Sequence, residues 1–251
     1  MPLTKEVTTI ASVPALLYFH TSRETCAERG TVLFYHGFGG NKEKIEVHSI
    51  SLAQAGFLVI SLDAIGHGQR RFPHFAEVFN DERWAREPEA TEAHYLTIVR
   101  QTAAEVPMIV DKLLSCGWAH LEHLGIGGIS MGGEITYAAI VNEPRLRVAT
   151  PILGSPEWEL PWPESPHRHA ERFFPVALFS QAAEKDEAVP ARSIRAFHEQ
   201  LAPLYATAPD RLCYLEYPDV GHRLLPHLWE PSRQYMVAWF ERFLKAEGLP
   251  V

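Results

Sequence analysis

Gly125-Ile126-Gly127-Gly128-Ile129-Ser130-Met131-Gly132-Gly133-Glu134 is the stretch whose residue types and spacing are best suited to chemistry. Gly128, Ser130 and Gly132 fit G-x-S-x-G, a strand-to-helix turn that holds a serine in strained backbone with its hydroxyl exposed at the end of a sheet. A side chain at either glycine would collide with a neighbouring strand or helix across so tight a bend, and glycine avoids this. The chemistry on offer is nucleophilic attack by Ser130. Ordinary glycine and serine usage produces the pattern by accident in roughly one chain in ten of this length. A serine that merely caps the following helix would look the same. The nucleophilic reading therefore requires a base, an acid and oxyanion donors in a suitable order along the chain.

A serine hydroxyl attacks poorly at neutral pH until a base removes its proton, and imidazole is suited to that task. Among thirteen histidines, His222 leads because it follows the last expected strand and Gly221 frees its turn; His227 is the alternative. The imidazole needs a carboxylate to orient it and stabilise its charge. Asp186 lies in the preceding loop with Glu187-Ala188-Val189-Pro190 behind it; Glu184 and Glu187 could substitute, and Asp219 is assigned to shaping the histidine's turn. Oxyanion donors are expected from the amide of Met131, directly after the nucleophile, and from the amide of Phe38 in His36-Gly37-Phe38-Gly39-Gly40. That glycine loop lacks G-x-G-x-x-G and a following G-K-[ST], which disfavours a phosphate cradle. His36 and His67 precede glycines and are expected to hold their loops by hydrogen bonds, with His36 also counted among the pocket residues.

The elements that must position these groups alternate along the chain. Val13 to His20 and Thr31 to His36 read as a hairpin of early strands around the polar stretch Thr21 to Gly30. Ile45 to Ala55 has helical spacing, and Phe57 to Asp63 is the continuous apolar run of a strand buried on both faces. Thr91 to Cys116 reads as a long helix containing Pro107, His123 to Ile129 as a strand, and Met131 to Asn142 as a helix. Ala149 to Leu153, Pro175 to Ser180 and Arg211 to Tyr217 are further strands, with helices at Ala191 to Leu204 and Ser232 to Glu247. The expected fold is α/β, a mostly parallel central sheet with helices on both faces, in one domain over residues 1–251. Insertions fall around 70–92 and 154–172. In such sheets ligands bind at the carboxyl ends of the strands, where every loop named above lies. Phe72, Phe75, Phe79, Trp84, Trp158 and Trp162 either cover the site as a partly apolar lid or pack the insertions onto the sheet, and Trp158 and Trp162 are counted as pocket residues.

Composition narrows the partners. The 251 residues carry a formal charge of -8, which argues against a nucleic-acid surface and an anionic membrane. No basic-then-apolar leader and no membrane-length apolar run is present, and Cys26, Cys116 and Cys213 have neither disulfide-framework nor zinc-site spacing. A cytoplasmic protein without metal or cofactor is expected, acting on a small-molecule ester, and a homo-oligomer is compatible with this composition.

The sequence resembles the α/β-hydrolase superfamily in its chain order of serine, acid and histidine: Ser130, Asp186, His222. More closely, it is similar to the small bacterial carboxylesterases of the prolyl-oligopeptidase and dienelactone-hydrolase branch, the YitV-type esterases. The matching segments are His36 to Gly40, Asp63-Ala64 with Gly66-His67-Gly68 and Arg70, Gly128 to Gly133, Asp186 to Pro190, and Gly221-His222. The resemblance implies an α/β-hydrolase fold, a Ser-His-Asp triad, an oxyanion hole at Phe38 and Met131, and no cofactor. Ester cleavage through an acyl-enzyme is the expected reaction. Amide or peptide cleavage is the alternative within the fold, and a non-catalytic binding protein the alternative outside enzymes. A haloalkane dehalogenase would need an aspartate where this chain has Ser130.

Overall fold

The computed structural model describes residues 2–244, so the expected helix end at Glu247 lies outside the described residues. Eight strands form one sheet: β1 (Thr4–Ile10), β2 (Val13–Phe19), β3 (Thr31–Tyr35), β4 (Leu58–Leu62), β5 (Leu124–Ile129), β6 (Val148–Ile152), β7 (Ala177–Ala183) and β8 (Leu212–Tyr217). Their spatial order is β1-β2-β4-β3-β5-β6-β7-β8. From β4 to β8 the pairs are parallel, and β2 alone runs against its neighbours. The helices are α1 (Arg23–Arg29), α2 (Glu46–Gln54), α3 (Phe75–Val78), α4 (Asp81–Arg86), α5 (Pro88–Ser115), α6 (Met131–Asn142), α7 (Ala191–Leu201) and α8 (Pro226–Phe243).

The two-residue side-chain period of a strand divides the core between the two faces. Leu33, Tyr35, Ile60 and Ile126 pack with Val106, Ile109 and Ile135 of α5 and α6, whereas Val32, Phe34 and Val59 pack with Leu52, Met236 and Phe240 of α2 and α8. Central strands buried on both faces explain the unbroken apolar runs in their sequences. Pro107 stays inside the 28-residue α5.

The expected β2–β3 hairpin is wrong. Its polar connection folds as α1, where the Ser22 hydroxyl caps the helix by accepting a 3.1 Å bond from the Thr25 amide. The chain therefore crosses over, and β2 pairs antiparallel with β4. The real hairpin joins β2 to β1, a strand the sequence reading omitted. Its turn places Ala11 and Ser12 at φ 48° and 69°, conformations usually signalled by glycine or asparagine, so the turn had no compositional mark. β7 also runs to Ala183, three residues beyond its expected end at Ser180.

Candidate active site

The β5–α6 turn is built as its glycines require. Ser130 has φ 57° and ψ -119°, a strained region for a residue with a Cβ, and its amide is fixed by a 2.8 Å bond to the Ile152 carbonyl. A Cβ on Gly128 would lie 2.4 Å from the Gly132 carbonyl oxygen, and one on Gly132 would lie 2.2 Å from that of Tyr35. Both obstacles are backbone and cannot rotate away. The Ser130 side chain makes no capping bond to α6, which removes the helix-cap reading. Its Oγ lies 2.8 Å from His222 Nε2.

His222 follows β8 and Asp186 follows β7, so two adjacent parallel strands deliver both groups to the same sheet edge. His222 Nδ1 lies 2.7 Å from Asp186 Oδ2. The other Asp186 oxygen accepts from the amides of Ala188 at 3.0 Å and Val189 at 2.8 Å, and the carboxylate is fully enclosed. Its orientation is thereby locked toward the imidazole. Asp219, at φ 56°, pairs with Lys185 and donates its amide to Glu184, the turn-shaping role expected of it.

The glycine loop after β3 passes directly beside the serine: a Cβ on Gly37 would stand 3.4 Å from that of Ser130. Phe38 is the next residue of this loop, and the amide of Met131 belongs to the first turn of α6, where helix N–H groups lack intrahelical partners. His36 is wholly buried and does not line the pocket, contrary to expectation. Its Nε2 accepts from the Ala64 amide at 3.2 Å, so Nδ1 carries the proton and donates to the Gly37 carbonyl at 2.8 Å. Burial holds its pKa below the ordinary histidine value, consistent with a neutral ring that ties the loop to the end of β4.

A second tie is a buried ion pair. Asp63, at the end of β4, accepts from Lys42 Nζ at 2.8 Å, the Lys42 amide at 2.9 Å and the Gln69 amide at 3.0 Å. The Lys42 and Asp63 side chains are 1% and 0% exposed. Burial alone would lower the lysine pKa, and bonds to Asp63 and Glu43 outweigh it and hold the ammonium charged.

Ser130 and His222 open into a cavity of about 390 Å³ walled by Phe38, Trp84, Tyr95 and Trp158. Phe38 packs at 4.9 Å on Phe79 and at 5.4 Å on Phe75, so those two phenylalanines support the wall rather than form it. Phe72 lies against Gly66, and Trp162 lines a neighbouring surface groove and backs Trp158 edge-on at 6.2 Å. Trp162 is therefore corrected from pocket residue to support, and of the proposed lid only Trp84 and Trp158 face the cavity.

The sequence reading missed the carboxylates of this cavity. Glu92, Glu134, Glu157 and Glu159 all line it. Glu134 is 6% exposed and accepts from Tyr95 Oη at 2.9 Å. Burial, with repulsion from Glu92 and Glu159, pushes its pKa up to about 8, and burial with repulsion from Glu159 pushes that of Glu92 to about 7. A signal existed for Glu134: it is the one acidic residue in the otherwise apolar and small-residue helix α6.

The sequence pattern of the dienelactone hydrolase family matches residues 16–225. YitV of Bacillus subtilis (strain 168), itself named only as a candidate esterase, is 23% identical over 94% of this chain and 97% of its own length. TT1662 from Thermus thermophilus superposes with a TM-score of 0.74 at 21% identity, over 96% of this chain and 99% of that one. The acylaminoacyl peptidase of Pyrococcus horikoshii shares the fold at a TM-score of 0.68 and 15% identity, over all of this chain and 43% of its own. Since the family pattern extends from β2 to the loop beyond His222, the chain belongs to the dienelactone hydrolase family and is a hydrolase.

Proposed function

We propose that this hydrolase is a carboxylesterase that works through an acyl-enzyme on Ser130. The observation that carries the reading is the hydrogen-bonded line from Ser130 Oγ through His222 to the enclosed Asp186, at 2.8 and 2.7 Å, ending in an open cavity. Ser130 Oγ bonds to the ester carbonyl carbon while His222 Nε2 takes the hydroxyl proton. The negative charge that develops on the carbonyl oxygen is met by the amides of Phe38 and Met131, each worth roughly 2.7 to 4 kcal/mol in such sites. The bond to the alkoxy oxygen then breaks, and His222 returns the proton to the departing alcohol. Water repeats the sequence on the acyl-enzyme: His222 takes its proton, the acid is released and Ser130 recovers its own. Asp186 holds the imidazole in the tautomer with Nδ1–H and stabilises the transient imidazolium.

The substrate in this reading is a small-molecule ester, since the cavity is compact. Three unpaired cysteines support a reducing, cytoplasmic setting; among the described residues no helix is long and apolar enough to cross a membrane. Hydrolysis of p-nitrophenyl esters from acetate to octanoate, with Ser130→Ala alongside and a matched p-nitroanilide, tests the proposal. Turnover of the esters by wild type alone, exceeding that of the anilide, is the expected result. An active Ser130→Ala protein would end the acyl-enzyme reading, and a preference for the anilide would make the chain an amidase.

A further inference from the structure

We infer that the ester taken by this cavity carries an organic ammonium group close to its scissile bond, recognised by Glu92 and Glu134 within an aromatic cage. The inference rests on the esterase reading above and assigns its substrate class. Two independent features of one cavity point the same way. Its aromatic walls are Phe38, Trp84, Tyr95 and Trp158, ring faces and edges of the kind that hold alkylammonium groups by cation–π attraction. Its carboxylates are Glu92, Glu134, Glu157 and Glu159, while among the described residues no lysine or arginine lines it. Among the described residues none of these four carboxylates forms an ion pair, although nineteen such pairs occur elsewhere, including many on the surface.

A buried carboxylate without a counter-ion is costly, and Glu134 accordingly keeps its proton up to about pH 8 in the free protein. Here Glu134 is kept one helical turn from Ser130, and the groups bound to it, the Tyr95 hydroxyl and the Ser155 backbone, are neutral. A monocationic substrate supplies the opposite charge that favours the ionised form of Glu134 and Glu92 in the complex. A metal ion is a poorer occupant: among the described residues no three His, Cys, Asp or Glu side chains are grouped to hold one. Position limits how far the cation lies from the ester. Glu134 stands four residues after Ser130, about one helical turn or 6 Å along the axis of α6. Glu92 begins the adjoining turn of α5, three residues before Tyr95, on the same face as that ring. The ammonium is therefore a few bonds from the carbonyl carbon, as in a short amino-acyl ester or an aminoalkyl ester.

The test uses isosteric pairs in which –NH3+ or a trimethylammonium replaces a neutral group of the same shape. Ethyl 3-aminopropanoate is compared with ethyl butanoate, and acetylcholine with 3,3-dimethylbutyl acetate, by pH-stat titration. In at least one pair the cationic ester should exceed its neutral isostere in kcat/KM by about tenfold or more, as a charge-assisted contact in a half-dry pocket supplies. Glu134→Gln and Glu92→Gln should lower that ratio toward one, and because both esters are measured on the same variant, any general loss of activity cancels. A ratio of one or less in both pairs, with the neutral esters turned over, overturns the inference and leaves the esterase reading standing. If neither ester nor p-nitrophenyl acetate reacts, the esterase reading fails, and binding decides instead. Choline should then quench tryptophan fluorescence saturably in wild type, more strongly than 3,3-dimethylbutanol and less in Glu134→Gln, and absence of that difference overturns the inference.

Discussion

Asp63→Asn is the perturbation that most directly probes how the glycine loop is held against the nucleophile. The carboxylate gathers three donors, two from Lys42 and one from Gln69, and it fills the space where any Cβ on Gly68 would stand, 2.1 Å away. Removing one partner of a buried ion pair costs about 3 to 5 kcal/mol because the other charge is left uncompensated. Lys42 also touches the half-exposed Glu43 at 3.1 Å, which offsets part of the loss and puts the expected destabilisation near the lower figure, about 3 kcal/mol. Asparagine keeps the size but turns an NH2 toward a cluster of donors, so the chain from Phe38 to Lys42 should relax. A displacement of about 1 Å of the Phe38 amide would lower kcat/KM on the order of a hundredfold. Urea unfolding gives the first quantity and ester hydrolysis the second. A Lys42→Met, Asp63→Leu double variant should recover stability without recovering activity, since an apolar pair can replace a buried ion pair but cannot receive the Gln69 amide. A single variant that loses less than about 1 kcal/mol and keeps wild-type kcat/KM would refute the claim that this pair positions the loop.

Other outcomes follow from groups already described. Glu134 ionises near pH 8 when folded and near 4.5 when unfolded, so the folded state binds the extra proton between those values. Its contribution to stability is therefore full below about pH 4.5 and declines as pH rises to about 8, by at most roughly 5 kcal/mol over that interval at about 1.4 kcal/mol per pH unit. Glu134→Gln should be more stable than wild type at pH 8.5 than at pH 5.5 in denaturant titrations, and an equal difference at both would contradict the burial argument. Gly132→Ala should abolish activity and lower the melting temperature sharply, because the methyl meets the Tyr35 carbonyl oxygen at 2.2 Å. Gly39→Ala, with φ 73° and open space around it, should cost only about 1 to 2 kcal/mol for its left-handed backbone. Trp158→Ala should move the acyl-chain optimum toward longer esters, and an unchanged profile in the p-nitrophenyl series would remove it from the specificity wall.

Legibility in the sequence tracked how mechanical each constraint is. The serine turn could be read because two backbone contacts forbid a Cβ at Gly128 and Gly132, and no other residue satisfies them. His222 and Asp186 could be read because parallel strands end on one side, so a loop's place after its strand already locates it. The cavity wall was harder. Trp158 and Trp162 sit four residues apart in an irregular, proline-rich segment with no period to say which faces inward, and the fold turned one to the cavity and the other behind it. His36 looked like a pocket residue because it precedes the glycine loop, but its two nitrogens are spent on backbone. The acidic lining arises from α5, α6 and the segment after β6, and only the folded sheet brings those three together.

The bond from Ser130 to His222 spans 92 residues and that from His222 to Asp186 spans 36. During synthesis the serine turn and both glycine loops emerge well before the imidazole does. A nascent chain that has not yet reached His222 thus presents Ser130 without the imidazole that bonds to it in the folded protein. Under the proposed mechanism, a molecule that ends before His222 would lack the base and would not hydrolyse esters. The reverse also holds: β7, β8 and α8 must have docked before the last hydrogen bond can close, so esterase activity would serve as a reporter that the final third of the chain has joined the rest.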